Sequence, residues 1–199
     1  AGALPTTAAP LAARYAADGD PPHGAVLIAV DGSQIYPDEH AAALYYLLQI
    51  GGVAFRYDGS RPTPYSCESL HFRDDELYDD RGYPISVERV GMQRLVREME
   101  YLAELTALER RFAPAAPLVA ITDGPLLWPY VERSRADFRA LEAYLEAISG
   151  IRQAGALPVG YVARPGGRAL VELLWAGQLA PEDIPGKLAD NPLRRLTDA

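Results

Sequence analysis

Near its N-terminus the chain reads Ala25-Val26-Leu27-Ile28-Ala29-Val30-Asp31-Gly32-Ser33, an apolar run that leads directly into an acidic residue. A second run of the same kind, Leu118-Val119-Ala120-Ile121-Thr122, leads into Asp123-Gly124-Pro125. Short runs of branched apolar residues bounded by glycine or proline are typical of buried strands. We therefore predict that each Asp-Gly pair marks the end of a strand, where the chain turns away and the carboxylate projects at the edge of a sheet.

These two carboxylates suggest the chemistry of the site. If the two strands are neighbours, Asp31 and Asp123 can share a divalent cation, and hard carboxylate oxygens select Mg²⁺ or Mn²⁺ over zinc. Two such ions about 4 Å apart can activate water and stabilise the leaving oxygen of a phosphodiester. The sequence has no nucleotide-binding glycine loop and no Cys/His cluster of the kind that holds zinc. The residues therefore indicate a metal-dependent enzyme.

The segments around these strands predict the fold. Ser86 can cap the start of a long helix, and Gly150 is expected to end a second one. The predicted elements are, in order, the first strand, two extended segments at 44–50 and 53–57, a strand at 65–72, an acidic surface loop at 74–80, a helix at 86–112, the second quoted strand, a helix at 134–149, a strand at 157–163 and a helix at 167–177. A meander followed by alternating helices and strands predicts an α/β protein with a mixed sheet and helices on its faces. This is the order of elements in ribonuclease H-like folds. We predict an N-terminal arm at 1–23 and one domain at 24–199.

A metal site of this kind usually needs a third carboxylate, which the long helix can supply. Its candidates are Glu98, Glu100, Glu104 and Glu109. At about 100° per residue, Glu98 falls inside the apolar stripe, Glu109 points inward near the last turns, and Glu100 and Glu104 fall on the opposite face. A glutamate inside an apolar stripe is unfavourable by several kcal/mol unless it is paired or binds a metal. Two interpretations follow: Glu98 is the third ligand, ahead of Glu104 and Glu100, or it pairs with Arg94 at the margin of the core.

Three further residues are candidates for contact with a nucleic-acid substrate. His40 follows the first acidic signature and can contact a phosphate or assist proton transfer. Tyr36 can stack on an unpaired base, and Arg164 can meet a phosphate at the strand ends. Each residue also has a purely structural interpretation. His40 can be a surface histidine near a turn, Tyr36 a packing residue of the sheet, and Arg164 a solvated residue at a strand end.

Composition limits the class of protein. The net charge of −8 argues against a general nucleic-acid coat, which is normally basic, but it does not exclude a nuclease whose carboxylates bind cations. Cys67 is the one cysteine, which excludes an internal disulfide, fits a reducing cytoplasm and is best explained as a structural thiol. No apolar stretch is long enough to cross a bilayer and no basic-then-apolar leader opens the chain, so we expect a cytoplasmic protein without a membrane partner.

Several motifs, taken in order, resemble a NurA nuclease domain from about Gly24 to the C-terminus. They are Ala29–Gln34, Pro37–His40, Tyr45–Leu48, Ile121–Leu126, and Val159–Val162 with Arg164-Pro165. The resemblance implies a ribonuclease H-like fold and a Mn²⁺-dependent nuclease, a 5′–3′ exonuclease and single-strand endonuclease. It also implies a homodimer that resects DNA ends with a hexameric HerA-type ATPase, which would deliver the DNA to this acidic chain. By motif, Asp31 and Asp123 match the metal-binding aspartates of the family.

The resemblance also gives an expectation about length, and two alternative functions are to be weighed against the nuclease. Members carry a late acidic or histidine residue in a C-terminal helix, whereas this chain stops at Leu196–Ala199 and begins without methionine. We expect a truncated or partial protein that lacks a fourth ligand and some dimer surface. One alternative is a non-catalytic scaffold of the same fold that binds the translocase. The other, a haloacid dehalogenase-type phosphatase, needs a second Asp at the position that Ser33 occupies.

Overall fold

The computed structural model of the protein describes residues 19–20, 22–38, 40–78, 82–130, 134–162, 169–180, 182–187 and 190–192. The chain divides into two compact units, residues 21–161 and a second unit that contains residues 1–20 and 162–199. The arm at 1–23 and the single domain at 24–199 remain predictions.

The larger unit is built on a five-stranded mixed sheet in the order β3-β2-β1-β4-β5. Its strands are β1 (Val26–Ile35), β2 (Tyr46–Arg56), β3 (Thr63–His71), β4 (Leu118–Asp123) and β5 (Ala156–Tyr161). The first three strands pair antiparallel as a meander, whereas β4 pairs parallel with both β1 and β5. This topology, with its helices, confirms the predicted ribonuclease H-like mixed α/β sheet.

The two long helices begin directly after serine caps. In the larger unit the helices are α1 (Asp74–Leu77), α2 (Val87–Phe112) and α3 (Arg135–Gln153), and in the second unit α4 (Ala169–Ala176) and α5 (Ile184–Lys187). The Ser86 hydroxyl accepts a hydrogen bond from the Arg89 backbone N–H, and Ser134 does the same for Asp137. Such caps satisfy backbone donors that the first turn leaves unpaired. None of the helices among the described residues is long and apolar enough to span a bilayer.

The core lies between one face of the sheet and the two long helices. Alternate residues of β1, including Val26, Ile28 and Val30, are buried there. Leu102 of α2 and Tyr144 of α3, both fully buried, belong to the same cluster. Because strand side chains alternate between faces, this helix-covered face also contains the even-numbered residues that follow in β1. Asp31 lies one residue past the buried Val30, at the margin of this core.

Four element boundaries differ from the sequence prediction. β1 continues through Asp31 to Ile35 because it stays paired with β2, although its pairing with β4 stops at Val30. β2 is one strand rather than two, and Gly52 does not break it. A Cβ at Gly52 would lie 2.6 Å from Leu105 Cδ1, so this glycine admits α2 close to the sheet.

α3 likewise continues past Gly150, which the sequence suggested as its end. A Cβ at Gly150 would make an ordinary 3.9 Å contact with Ala103, and Gly155, with φ +71°, provides the left-handed turn that follows the helix. The predicted acidic loop begins instead with the short helix α1, which buried Leu77 anchors. Asp79 and Asp80, and Ala163 at the predicted end of β5, lie outside the described residues.

Candidate metal site

The two sequence-predicted aspartates lie side by side in the sheet. Val30 of β1 and Thr122 of β4 are partners in the parallel pairing, and Asp31 and Asp123 are the next residues on their strands. Asp31 lies opposite Gly51 of β2, and Asp123 lies opposite Tyr161 of β5. The two strands are therefore neighbours, as they must be if Asp31 and Asp123 are to share a cation.

Strand alternation places the two aspartates on the same face of the sheet. Val30 and Thr122 are buried on the face that the helices cover, so Asp31 and Asp123 fall on the other face, where both are exposed. Gly32 returns to the helix-covered face. The carboxylates of Asp31 and Asp123 can thus approach one ion from neighbouring strands.

Glu98 approaches the same strand ends from the helix side. Only 6% of Glu98 is exposed, and Arg94 Nη1 lies 3.2 Å from its Oε1. A Cβ at Gly32 would overlap Oε1 of Glu98, so the glutamate fits because this position of β1 has no side chain. The ion pair with Arg94, one of the two interpretations offered by the sequence, is present. The ligand role remains a prediction.

Asp31 and Asp123 influence the protonation of Glu98 from the strand side. Burial raises the pKa of the Glu98 carboxyl above its usual range, and the negative charges of Asp31 and Asp123 raise it further. Arg94 and the backbone N–H of Gly32 act in the opposite direction without reversing the shift in pKa. Residues far apart in sequence therefore influence each other electrostatically at one end of the β1–β4 pair.

The other three glutamates of α2 have partners elsewhere. Glu104 is exposed and Glu100 is half-buried on the opposite side of the helix, where Arg97 Nη1 lies 3.5 Å from Glu100 and 2.7 Å from Glu104. Glu109 is fully buried, as its helical position predicted, and accepts hydrogen bonds from Arg56 and from the Tyr65 hydroxyl. At about 1.5 Å per residue, it lies roughly 16 Å along α2 from Glu98. Glu98 is the glutamate that the fold brings to the aspartates.

The predicted substrate-contacting residues are partly described. His40 is exposed, and its backbone N–H donates to Asp38 Oδ1 at 2.9 Å. Tyr36 is 39% exposed, and its hydroxyl accepts a 2.6 Å hydrogen bond from Gln34. Arg164 lies outside the described residues. Their roles toward a substrate remain predictions.

Cys67 is half-buried and packs against the core. Its Sγ accepts a 3.1 Å hydrogen bond from Arg97 Nη2. These contacts agree with a structural thiol.

Glycines shape this end of the sheet in a way that the sequence analysis missed. Gly124 has φ +114°, a left-handed conformation that favours glycine in the turn after Asp123. A Cβ at Gly160 of β5 would lie 2.6 Å from the Gly124 carbonyl oxygen and 2.7 Å from the Leu126 backbone nitrogen. Isolated glycines inside strand patterns are the sequence signal for such close approaches.

The donor set fits a hard divalent cation in its chemistry. Asp31, Asp123 and Glu98 offer carboxylate oxygens, the ligands preferred by Mn²⁺ and Mg²⁺. Oε1 of Glu98 is buried without a hydrogen-bond partner, and its contact with a positive charge is the 3.2 Å ion pair with Arg94, so a cation could replace Arg94 there. As they stand, the three are not drawn together around one point: among the described residues, no group of three or more His, Cys, Asp or Glu side chains is arranged to hold a metal ion. Asp31 Oδ1 instead accepts a 2.9 Å hydrogen bond from the Gly32 backbone N–H.

Comparison with known proteins identifies the family. The family model described as NurA domain matches residues 25–196, so the chain belongs to the NurA family. No curated protein matches the chain.

Three solved structures are similar to parts of the chain. "Crystal structure of NurA bound to dAMP and manganese" is 14% identical, covers 69% of this chain and 34% of its own, and has a TM-score of 0.30. "Crystal structure of NurA" is 13% identical over 87% of this chain and 38% of its own, with a TM-score of 0.32. "Crystal structure of NurA with manganese" is 15% identical over 91% of this chain and 51% of its own, with a TM-score of 0.32. The chain thus spans about a third to a half of the length of these NurA structures.

Proposed function

We propose that the protein is a divalent-metal-dependent DNA nuclease of the NurA type. Asp31, Asp123 and Glu98 would hold Mn²⁺, with Mg²⁺ as the alternative ion. The observation that carries this proposal is the parallel pairing of Val30 with Thr122, because the next residue of each strand is an aspartate and both fall on one face of the sheet. Membership of the NurA family supports the same assignment.

The proposed chemistry divides between the ion and the chain. Bound Mn²⁺ would supply an activated water and charge stabilisation for phosphodiester hydrolysis. Asp31 and Asp123 would hold the ion from two neighbouring strands, and Glu98 would add a carboxylate from the helix. His40, Tyr36 and Arg164 remain our candidates for contacts with the phosphate and bases of the substrate.

The partners follow from the family and from charge. One of the similar NurA structures is described as bound to dAMP and manganese, which supports DNA as the substrate here. The net charge of −8 gives the chain little electrostatic attraction for DNA, which favours delivery of the DNA by a partner. We propose that this partner is a HerA-type hexameric ATPase and that the nuclease acts as a homodimer in DNA end resection. The single cysteine supports a cytoplasmic location.

Cleavage of end-labelled DNA tests the enzyme assignment. Single-stranded DNA and duplex DNA labelled at the 5′ end should be cut in Mn²⁺ and left intact in EDTA. Asp31→Asn keeps the shape of the side chain but removes its charge, and should abolish cleavage. Glu104→Gln is the matched control, because it neutralises an exposed glutamate of α2 and should leave the rate unchanged. If the full chain binds the ATPase but cuts no DNA, the non-catalytic scaffold is the correct function.

A further inference from the structure

Arg94 connects the three-carboxylate site to the helix that supports it. Its Nη1 donates a 2.7 Å hydrogen bond to the carbonyl oxygen of Gly32 and lies 3.2 Å from Oε1 of Glu98. The guanidinium therefore contacts β1 directly after Asp31 and contacts the glutamate at the same time. Two-thirds of the Arg94 side chain is covered, so this pair is only partly screened by solvent.

Glu98 needs a positive charge at this position. Its carboxylate is buried, and Asp31 and Asp123 add negative charge from the strand side. An unpaired buried carboxylate is strongly unfavourable, whereas a paired one is tolerated. Arg94 is the ion-pair partner of Glu98 in the described part of the chain.

We propose that Arg94 is a resident counter-ion that neutralises Glu98 in the metal-free protein and yields this carboxylate to an incoming divalent cation. The inference rests on the proposed function, because it takes Asp31, Asp123 and Glu98 as the metal-binding set. Arg94 and the cation compete for the same oxygen, and their like charges repel. Once displaced, Arg94 keeps its hydrogen bond to the Gly32 carbonyl and remains beside the site as a free positive charge.

If Arg94 competes with the cation for Glu98, removal of its charge should strengthen Mn²⁺ binding. If Arg94 only positions Glu98, the same change should not strengthen it. Arg94→Gln keeps the length of the side chain but removes its charge, so Mn²⁺ should bind about tenfold more tightly, by the loss of a nearby like charge. Arg94→Lys retains the charge and should restore the wild-type affinity. Arg97→Gln removes the same charge from the same helix, but the ion-pair partners of Arg97 are Glu100 and Glu104, and its further hydrogen bond goes to Cys67 rather than to Glu98. This control should bind Mn²⁺ as the wild type does.

The measurement is Mn²⁺ binding to the full chain, followed by electron paramagnetic resonance of the free ion at pH 8. Tighter binding by Arg94→Gln, with wild-type binding by Arg94→Lys and Arg97→Gln, supports the proposal. Unchanged or weaker binding by Arg94→Gln overturns it and shows that Arg94 only positions Glu98 for the ion.

Thermal unfolding in EDTA gives a second readout that needs neither metal nor cleavage. Arg94→Gln should lower the Tm, because Glu98 is left buried and unpaired. The double variant R94Q/E98Q removes both charges and should recover the wild-type Tm. If the double variant stays as unstable as Arg94→Gln, the hydrogen bond to Gly32 is what matters and the proposal is wrong.

These outcomes separate the inference from the proposed function. Mn²⁺ binding that responds to Arg94→Gln without any DNA cleavage would keep the counter-ion role and remove the nuclease assignment. If the wild type cleaves DNA but Arg94→Gln does not bind Mn²⁺ more tightly, the nuclease assignment stands and the counter-ion role is wrong.

Discussion

Gly32 of β1 lies directly beneath the carboxylate of Glu98, so close that a methyl group on Gly32 would overlap Oε1 of the glutamate. Helix α2 therefore meets the strand at a position that has no side chain. This contact fixes the distance between the glutamate and the backbone that bears Asp31. The closeness of strand and helix at this point is what allows carboxylates from both elements to influence each other.

The first prediction tests this close approach. Gly32→Ala should displace Glu98 and also crowd Ile50, whose Cδ1 would lie 2.8 Å from the new Cβ. We expect Mn²⁺ affinity to fall about tenfold, and the free energy of unfolding to fall by about 1–3 kcal/mol, as is usual for overpacking. Isothermal titration with Mn²⁺ and urea unfolding measure the two effects. Gly51→Ala adds the same methyl group to the neighbouring strand, where its nearest contact would be 3.8 Å from the Asp31 carbonyl oxygen, and should not crowd Glu98.

The second prediction concerns the conflict between stability and metal binding at Glu98. Because burial raises the pKa of Glu98, its ionised form opposes folding near neutral pH. Glu98→Gln should therefore raise the Tm of the metal-free protein and abolish the rise in Tm that Mn²⁺ causes in the wild type. Differential scanning calorimetry with and without Mn²⁺ tests both statements. A Glu98→Gln variant that Mn²⁺ still stabilises fully would exclude Glu98 as a ligand.

The third prediction concerns the turn that carries Asp123. Gly160→Ala would place a methyl group 2.6 Å from the Gly124 carbonyl oxygen, and backbone on both sides would have to move. We expect DNA cleavage to fall by at least about tenfold, since small misplacements of catalytic groups have large effects on rate. Gly150→Ala provides the opposite control. It replaces a helical glycine that has room for a methyl group, and should raise the free energy of unfolding by about 0.5–1 kcal/mol without a change in rate.

The fourth prediction separates the buried glutamate at the far end of α2 from the site. Glu109 accepts hydrogen bonds from Arg56 Nη2 and Tyr65, so Glu109→Gln breaks a buried ion pair and should lower the free energy of unfolding by about 3 kcal/mol. The affinity for Mn²⁺ should not change. Chemical denaturation and a Mn²⁺ titration at low temperature measure the two quantities. Weakened Mn²⁺ binding in a folded Glu109→Gln variant would contradict the prediction that Glu109 stabilises the fold without taking part in metal binding.

The fifth prediction concerns stability at alkaline pH. Burial and the negative charge of Glu76 raise the pKa of Tyr46 to about 12, although the positive charge of Arg89 acts in the opposite direction. The unfolded phenol ionises near pH 10, so the stability that this tyrosine contributes is complete below pH 10 and is lost as the pH rises toward 12. Tyr46→Phe should reduce that loss by about 2 kcal/mol.

Urea unfolding at pH 9, 10.5 and 11.5 tests this pH dependence. Tyr45→Phe is the control, because Tyr45 is exposed and should leave the slope of stability against pH unchanged. Equal slopes in Tyr46→Phe and the wild type would contradict the prediction.

Much of the fold followed from local sequence signals. The cap at Ser86 and the apolar runs marked element boundaries to within a few residues, and helical periodicity correctly placed Glu98 and Glu109 inward. Two of the errors concern glycines. Gly52 and Gly150 suggested breaks, but Gly52 lies where α2 packs too closely on the sheet for a side chain, whereas Gly150 lies inside α3 and has room for a methyl group next to Ala103 of α2. A glycine inside a strand or helix cannot be distinguished locally from one required by a turn.

The candidate site was predictable only in part. Two strands that each end in Asp-Gly indicated the pairing of Asp31 and Asp123, because parallel neighbours align their C-terminal ends. The sequence did not reveal that β1 continues past Asp31, because that extension depends on pairing with β2. Nor did it choose between Arg94 and a metal as the partner of Glu98. That choice depends on the distance between helix and strand, and helical periodicity predicts only which face of the helix a residue occupies.

β1 and β2 remain paired through Ile35 and Leu47, five residues beyond the last partner of β1 in β4. Beyond Val30 the hairpin is continued sideways by β3 rather than by β4, and its connecting loop carries Tyr36 and His40. Replacements at Tyr36 and His40 should therefore leave the pairing of Val30 with Thr122 unchanged, and with it the placement of Asp31 and Asp123. In the proposed nuclease, contacts with the substrate can then be redesigned without rebuilding the carboxylate set.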